Sequence, residues 1–287
     1  MRALITGADG QLGRELTIAA PGSVEVAALA HGELDVTRRE SVTAAFERWR
    51  PTVVLNAAAY TAVDRAEEEP EAARRVNVEG AAILAHQAAS VGARFVHVST
   101  DFVFDGASSR PYRPEDPPAP IGVYGASKLE GEREVLAACP EAAVLRTSWL
   151  YSAHRRNFVL AMLARMRRGE ALRVVADQVG SPTWTGTLAP AVWALAARPE
   201  LSGVWHWADA GAASWYDLAC ATQQEASERG LLESPVDIAP IATDDYPTPA
   251  RRPAYSVLDA AATRSELHLP ASWWRSSLGR MLATLDA

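Results

Sequence analysis

Short apolar runs alternate with amphipathic, alanine-rich segments along the first half of the chain. The apolar runs predict strands at 2–6, 24–29, 53–56, 94–99 and 142–147. The amphipathic segments between them predict helices at 13–20, 41–50, 71–91 and 125–138. Strands that alternate with helices predict a parallel, doubly wound sheet, and strands that are apolar throughout indicate that helices cover both faces. The predicted fold class is therefore α/β, Rossmann-like.

The second half lacks this regular alternation. It predicts helices at 157–168 and 188–197, strands at 172–175 and 204–207, and loops at 178–183 and 240–253. We predict a dinucleotide-binding domain at 1–149, to which a segment at about 184–208 returns. Residues 150–183 and 209–287 are predicted to form a smaller α+β substrate-binding lobe.

Composition narrows the classes of function. The chain has 287 residues, a net charge of −7 and two cysteines. The acidic balance argues against a nucleic-acid partner, and two cysteines argue against a disulfide scaffold. No signal peptide is recognisable, and no apolar run reaches the roughly 20 residues of a membrane span. We expect a cytoplasmic protein without a membrane partner. The six histidines show no metal-ligand spacing, so no metal site is predicted.

A glycine loop follows the first strand directly. Gly7, Gly10 and Gly13 end the strand and open the next helix. In that position, backbone amides and a helix N-terminus can hold a pyrophosphate, and Gln11 and Leu12 would line it. The alternative is a tight turn without a ligand.

The adenosine end of such a cofactor would meet the second strand. That strand ends at Ala30 and His31 without the carboxylate that would grip a ribose 2′-hydroxyl. NADPH is therefore favoured, with NADH left open, and His31 or Arg14 would help to hold the 2′-phosphate. Asp35 and Val36 are placed beneath the adenine. Alternatively, His31 is a solvated loop residue.

Three residues form a candidate catalytic set. Tyr124 and Lys128 lie four residues apart and share a helix face, where the cation would lower the pKa of the phenol. Thr100 ends another strand, where its hydroxyl would meet a substrate carbonyl, although such a threonine is commonly a local cap. With the glycine loop, this set predicts hydride chemistry on a carbonyl. Small residues at Ala58 and Ala59, after the third strand, would let a flat cofactor approach, or else mark a close helix–sheet contact.

The motifs together resemble the extended short-chain dehydrogenase/reductases, and within them the dTDP-4-dehydrorhamnose reductase family. The resemblance covers nearly the whole chain. The matching stretches are 7–13, 56–64, 98–106, 124–132, 146–149, 177–178, 180–183, 214–216 and 252–253.

The resemblance implies reduction of the C4 ketone of a dTDP-linked 4-keto-6-deoxysugar. Tyr124 would be the proton donor, Lys128 would hold the nicotinamide ribose, and Thr100 would orient the ketone. Asp101 would lie beside the sugar, and Trp149 would stack against the substrate. The middle of the cofactor would be lined by Ala58, Ala59, Tyr60, Thr61 and Val98.

The chain departs from the family pattern at Gly122 and Tyr255, where asparagine is common. Two alternatives stay open: a 4-ketoreductase of another dTDP-deoxysugar in antibiotic or glycan biosynthesis, and a non-catalytic dinucleotide-binding regulatory subunit. Mg²⁺ dependence stays undecided, and a homodimer is the expected assembly.

Overall fold

The computed structural model describes residues 1–285, and the last two positions of the predicted substrate-binding lobe lie outside the described residues. Its strands are β1 (Arg2–Thr6), β2 (Glu25–Leu29), β3 (Val53–Asn56), β4 (Arg94–Thr100), β5 (Ala143–Thr147), β6 (Leu150–Tyr151), β7 (Leu172–Val175), β8 (Val179–Gly180), β9 (Thr183–Trp184), β10 (Gly203–His206), β11 (Ala213–Ser214) and β12 (Ile238–Ile241).

The helices follow the same order. They are α1 (Gln11–Ile18), α2 (Arg39–Trp49), α3 (Val63–Glu68), α4 (Pro70–Arg74), α5 (Ala81–Ser90), α6 (Val123–Ala138), α7 (Phe158–Arg167), α8 (Thr185–Ala196), α9 (Trp215–Glu228), α10 (Ala261–Leu267) and α11 (Trp274–Ala283). A π-helical segment, Arg75–Gly80, joins α4 to α5. The predicted helix at 71–91 is therefore one continuous helix with a π-helical middle.

Six parallel strands form the main sheet in the order β10-β5-β4-β3-β1-β2. The predicted parallel α/β fold is confirmed. The chain leaves β1 toward β2 on one side and returns to β3 on the other. A crevice therefore opens at the carboxyl ends of β1 and β3, which is where ligands bind in sheets of this kind.

Two hydrophobic cores cover the two faces of the main sheet, and successive residues of a strand pack into one core and then the other. Leu4 packs with Phe46 of α2 and Leu84 of α5 on one face. Ile5 packs with Leu16 of α1 and Val192 of α8 on the other face. Side chains alternate along a strand, so a run that is apolar throughout needs a helical layer on both faces.

The π-helical segment allows a close approach between helices. A Cβ added to Gly131 of α6 would lie 2.0 Å from the carbonyl oxygen of Asn77 in that segment. Only glycine fits there, and the approach brings Asn77 within 2.9 Å of Ser127, next to Lys128. The segment thus seats α6 and its candidate catalytic residues against the sheet.

The rest of the chain builds a third core from α7, α9 and α11, around residues such as Leu163, Leu218 and Leu278. Its strands pair only as β7–β12, β8–β11 and β6–β9. The sequence prediction missed α3, α9, α10 and α11. For α9 a local signal exists, since Ser214 and Asp217 form a capping box at its start.

Candidate active site

A cleft of about 910 Å³ lies at the carboxyl ends of β1, β3, β4 and β5 and is closed on its far side by the third core. The predicted site residues that line it are Gly7, Gly10, Gln11, Leu12, His31, Val36, Ala58, Ala59, Tyr60, Thr61, Val98, Thr100, Asp101, Tyr124, Lys128 and Trp149. The structure therefore brings the candidate catalytic set and the glycine loop to one cavity.

Four predicted residues do not line this cleft: the exposed Arg14, and Gly13, Ala30 and Asp35, which lie behind its wall. Gly13 faces the loop backbone, and Ala30 lies in a turn where its N–H donates to the Glu33 carboxylate at 3.0 Å. The Asp35 carboxylate accepts from the backbone and hydroxyl of Thr37, and these hydrogen bonds lower its pKa. Asp35 therefore stabilises the turn, and Thr37 reaches the cleft in its place.

The glycine loop has the shape that a pyrophosphate requires. Gly7 has φ +65°, and a Cβ there would lie 2.8 Å from the Ala58 nitrogen. A Cβ on Gly13 would lie 2.2 Å from the Gly7 carbonyl oxygen. The loop thus closes tightly enough to place the free N–H groups of the first turn of α1 at the cleft, where they can bind an anion.

The run from Ala58 to Thr61 is fixed from behind by Asn77. The Asn77 Oδ1 accepts from the Tyr60 N–H at 2.8 Å, while the Tyr60 hydroxyl donates to Glu69, also at 2.8 Å. The same asparagine donates to Ser127 on α6. One side chain therefore aligns this run with the helix that carries Tyr124 and Lys128.

The candidate proton donor does not have the lowered pKa that the Tyr–Lys spacing suggested. Burial raises the pKa of Tyr124 to about 12, and the nearby Asp101 carboxyl adds to the rise while Thr100 opposes it. The Lys128 Nζ turns instead to the Val98 carbonyl oxygen at 2.8 Å and to His97 at 3.3 Å. Tyr124 is therefore a neutral phenol at ordinary pH, the form that a proton donor must have.

Asp101 is the least solvated carboxyl of the cleft. Its side chain is buried, and burial raises its pKa to about 7. One oxygen accepts from the Thr100 hydroxyl at 3.1 Å, whereas Oδ2 has no partner among the described residues. This oxygen is enclosed by protein, and the Ser256 and Thr100 hydroxyls oppose part of the rise in the pKa of Asp101.

Trp149 lies on the opposite wall with φ +46°. Its ring stacks on Trp215 at a centroid distance of 3.5 Å and an interplanar angle of 1°. Gly180 makes room for it, since a Cβ there would lie 2.4 Å from the Trp149 ring. Because one face of Trp149 is covered by Trp215, the two rings form this wall together.

Sequence reasoning missed several lining residues. They are Ser148, Tyr151, Arg155, Arg156, Trp215 and Arg252. The Arg155 Nε donates to the Asp9 carbonyl oxygen at 2.6 Å, so a loop after β6 reaches the glycine loop. Arg252 pairs with Asp64 at 2.9 Å. The matching stretches at 56–64 and 252–253 contain these two partners, but spacing alone does not reveal a contact between residues so far apart in sequence.

The family model described as the RmlD substrate binding domain matches residues 1–287. A dTDP-4-dehydrorhamnose reductase from Aggregatibacter actinomycetemcomitans is 41% identical, over 98% of each chain. The chain belongs to the dTDP-4-dehydrorhamnose reductase family.

Two further comparisons refine the placement within this family. A probable dTDP-4,6-dihydroxy-2-methyloxan-3-one 4-ketoreductase from Streptomyces antibioticus is 46% identical, over 97% of this chain and 93% of the relative. The crystal structure of a dTDP-4-dehydrorhamnose reductase from Bacillus anthracis in complex with NADP has a TM-score of 0.93 and 34% identity, and covers 99% of each chain.

At Gly122, where the family commonly has asparagine, another residue supplies the missing helix cap. Gly122 precedes α6 as the N-cap and has no side chain to cap the helix. The Glu67 carboxylate takes over this task, accepting from the Val123 N–H at 2.8 Å. A Cβ at position 122 would lie 2.8 Å from that oxygen, so a capping asparagine would displace Glu67. In this member of the family, α3 therefore supports the helix of Tyr124.

Within 1–285, no group of three or more histidine, cysteine, aspartate or glutamate side chains is arranged to hold a metal ion. No helix in the same range is long and apolar enough to cross a bilayer.

Proposed function

We propose that the protein reduces the C4 ketone of dTDP-4-dehydro-L-rhamnose to dTDP-L-rhamnose, with NADPH as the reductant and NADH as a possible substitute. The observation that carries this proposal is that Thr100, Tyr124 and Lys128 line the same cleft as the glycine loop. A dinucleotide and a ketone can therefore meet beside a proton donor.

The residues have the following roles in this proposal. Gly7, Gly10 and the first turn of α1 hold the pyrophosphate, and the tight loop at Gly13 fits that group. Bound NADPH supplies a hydride to the ketone carbon. Thr100 orients the carbonyl, and the neutral Tyr124 phenol donates its proton to the developing oxyanion. Lys128 lies one helical turn away, where its amine can hold the ribose.

Cofactor choice is supported by His31, which is exposed at the rim of the cleft near the end of β2. Glu33 Oε2 accepts from the Ala30 N–H in the same turn, and Glu33 is not among the residues that line the cleft. NADP in the Bacillus anthracis relative is consistent with this preference.

The test is a direct assay. Protein is mixed with NADPH and dTDP-4-dehydrorhamnose, and the absorbance of the reduced nicotinamide is followed, with NADH in a parallel arm. We expect consumption of the cofactor and formation of dTDP-L-rhamnose by mass spectrometry and NMR. Binding of NADPH without consumption by any dTDP-ketosugar would instead indicate a regulatory subunit.

A second substrate has support of its own. The Streptomyces antibioticus relative is a 4-ketoreductase for another dTDP-sugar and is 46% identical. A competition assay with both ketosugars discriminates, because the true substrate has the larger kcat/KM. Mg²⁺ is added or chelated in the same assay.

Two structural proposals accompany the activity. We propose that 1–149 with 184–208 act as the dinucleotide-binding domain and that 150–183 with 209–287 bind the sugar nucleotide. The placement of β10 at the edge of the main sheet supports this division. The expected homodimer is tested by light scattering coupled to gel filtration.

A further inference from the structure

Lys128 is the only lysine in a chain that holds 27 arginines. It is also buried, with 2% of its surface exposed. Arginine keeps its charge under all ordinary conditions, whereas lysine can lose its proton when it is desolvated. Arginine stands at every other lysine-or-arginine position, so Lys128 is the one side-chain amine in the sequence that can titrate.

A row of buried polar groups leads to this amine across the neighbouring strands β1, β3 and β4, on the sheet face that α6 covers. The Thr6 hydroxyl donates to Asn56 Oδ1 at 2.7 Å, and the Ala58 N–H donates to the same oxygen at 3.2 Å. The amide nitrogen of Asn56 then lies 2.9 Å from His97 Nδ1, and His97 Nε2 lies 3.3 Å from Lys128 Nζ.

The two donors to Asn56 Oδ1 determine the direction of the hydrogen bonds that continue to His97 and Lys128. The Ala58 N–H is a fixed backbone donor that Asn56 Oδ1 shares with the Thr6 hydroxyl oxygen, at 3.2 and 3.3 Å. An amide turned the other way would set its NH₂ group against this N–H, so the oxygen stays on this side and the NH₂ group faces His97. His97 Nδ1 must then accept, which leaves the ring proton on Nε2. That proton points at Lys128, where an ammonium would oppose it and a neutral amine would accept it.

We propose that His97 is a positioning residue for Lys128: held in its Nε2–H tautomer by Asn56, it donates to the amine and favours the neutral form. The hydrogen bonds from Thr6 through Asn56 to His97 therefore lower the pH at which Lys128 loses its proton. This role goes beyond the proposed reduction and does not depend on which sugar is bound.

The surrounding charges agree with this arrangement. Burial lowers the pKa of Lys128 to about 8, against the opposing effect of Glu132 on the same helix. Glu132 is itself paired with Arg146 of β5 at 2.6 Å. Tyr124 on α6 and Asp101 after β4 line the same cleft as Lys128, and the π-helical segment presents the neutral Asn77 to the adjacent Ser127. Burial holds the pKa of His97 well below its usual range, and the charge on Lys128 adds to this whenever the amine is protonated, so the ring is neutral in either case.

The first test observes the tautomer in the wild-type protein. Imidazole-labelled protein is studied by ¹⁵N NMR, and a His97→Gln variant assigns the signal among the six histidines. We expect Nε2 of His97 to carry the proton and Nδ1 to be of the unprotonated type. A ring protonated on Nδ1 would overturn the proposal. This measurement needs no turnover, so it is independent of the proposed function, and unchanged signals of the other five histidines in His97→Gln show that the variant is folded.

The second test reverses the tautomer. Asn56→Asp is isosteric and retains an acceptor for Thr6 and Ala58, but it presents an acceptor to His97. The ring proton then moves to Nδ1, and Nε2 can accept from an ammonium. Since Lys128 is the only lysine, ¹³C-lysine labelling gives one side-chain signal whose titration reports its pKa. We expect an upward shift of about one pH unit or more.

A double-mutant cycle separates this effect from the added charge. In a His97→Phe background, Asn56→Asp should shift the Lys128 titration little, because the link through the imidazole is gone. An equal shift with and without His97 would show a direct charge effect and would contradict the proposal.

Discussion

The two walls of the cleft are built in different ways. On the sheet side, Thr100 and Lys128 are buried and fixed by backbone carbonyls, turns and the π-helical segment. On the opposite side, Trp149 and Arg155 come from loops with positive φ, and Arg155 is half exposed. Sites on rigid elements hold reacting groups more tightly than sites on loops. We infer that the sheet wall sets the chemistry and that the loop wall selects the substrate.

The strongest test of the sheet wall is Tyr124→Phe. Loss of the phenolic proton should lower kcat by about 10²–10⁴-fold, because general acid catalysis is worth that much. The ring still packs against Phe102, at a centroid distance of 5.6 Å in the wild type, so the fold should be kept. NADPH binding, measured by fluorescence, is the control. Normal turnover by this variant would refute the assignment of Tyr124 as the donor.

A smaller but still large effect is expected from Gly13→Ala. The new Cβ would lie 2.2 Å from the Gly7 carbonyl oxygen, so the loop must open. We expect NADPH to bind at least about tenfold more weakly, since the cradle for the pyrophosphate is lost. Gly22→Ala is the matched control, because nothing lies within 4 Å of a Cβ there. Similar NADPH affinities in the two variants would contradict this explanation.

The loop wall is tested by Trp149→Ala. We expect KM for the sugar nucleotide to rise about tenfold, since base–aromatic stacking contributes about 1–3 kcal/mol, while kcat falls less. Trp273→Ala is a suitable control, because Trp273 is 52% exposed and does not line the cleft. A kcat loss as large as that of Tyr124→Phe would show that this wall does more than bind.

Ionisation of the buried Asp101 carboxyl should make the free energy of unfolding depend on pH. Its pKa of about 7 in the fold lies above the ordinary aspartate value of 3.8. Between these values the folded state holds a proton that the unfolded state has lost, so stability falls as pH rises through this window. Asp101→Asn should remove this loss and raise stability at pH 8 by about 2–4 kcal/mol, with little gain at pH 4. Urea unfolding at both pH values measures it, and an equal gain at both would exclude ionisation as the cause.

The smallest effect is expected from Arg155→Ala. The Arg155 guanidinium lies 3.5 Å from the Asp9 carboxylate, and the two side chains are 50% and 62% exposed. An ion pair so open to solvent should contribute little to stability. We expect less than about a fivefold change in NADPH affinity, and a smaller change in high salt. Titrations at two salt concentrations check this, and a large salt-independent loss would show that Arg155 belongs to the rigid part of the site.

The sequence was most informative where local rules suffice. Local sequence alone reveals the glycine spacing, the apolar strands and the four-residue spacing of Tyr124 and Lys128. The parallel sheet predicted from the alternating strands and helices was confirmed. Helix α9 was missed although its capping box is local, because its apolar positions are interrupted by polar ones. The partners of Lys128 were missed for another reason: His97 is on strand β4, 31 residues before Lys128 on helix α6.

The sequence by itself determined the α/β class, the glycine loop and the family, because periodicity and motif spacing are properties of short segments. Only the tertiary structure decided that Lys128 meets His97 and Val98 rather than Tyr124, that Asp101 is desolvated, and that Trp215 covers Trp149. Burial and hydrogen-bond direction depend on how distant segments pack, and they set the protonation states on which the chemistry of this cleft depends.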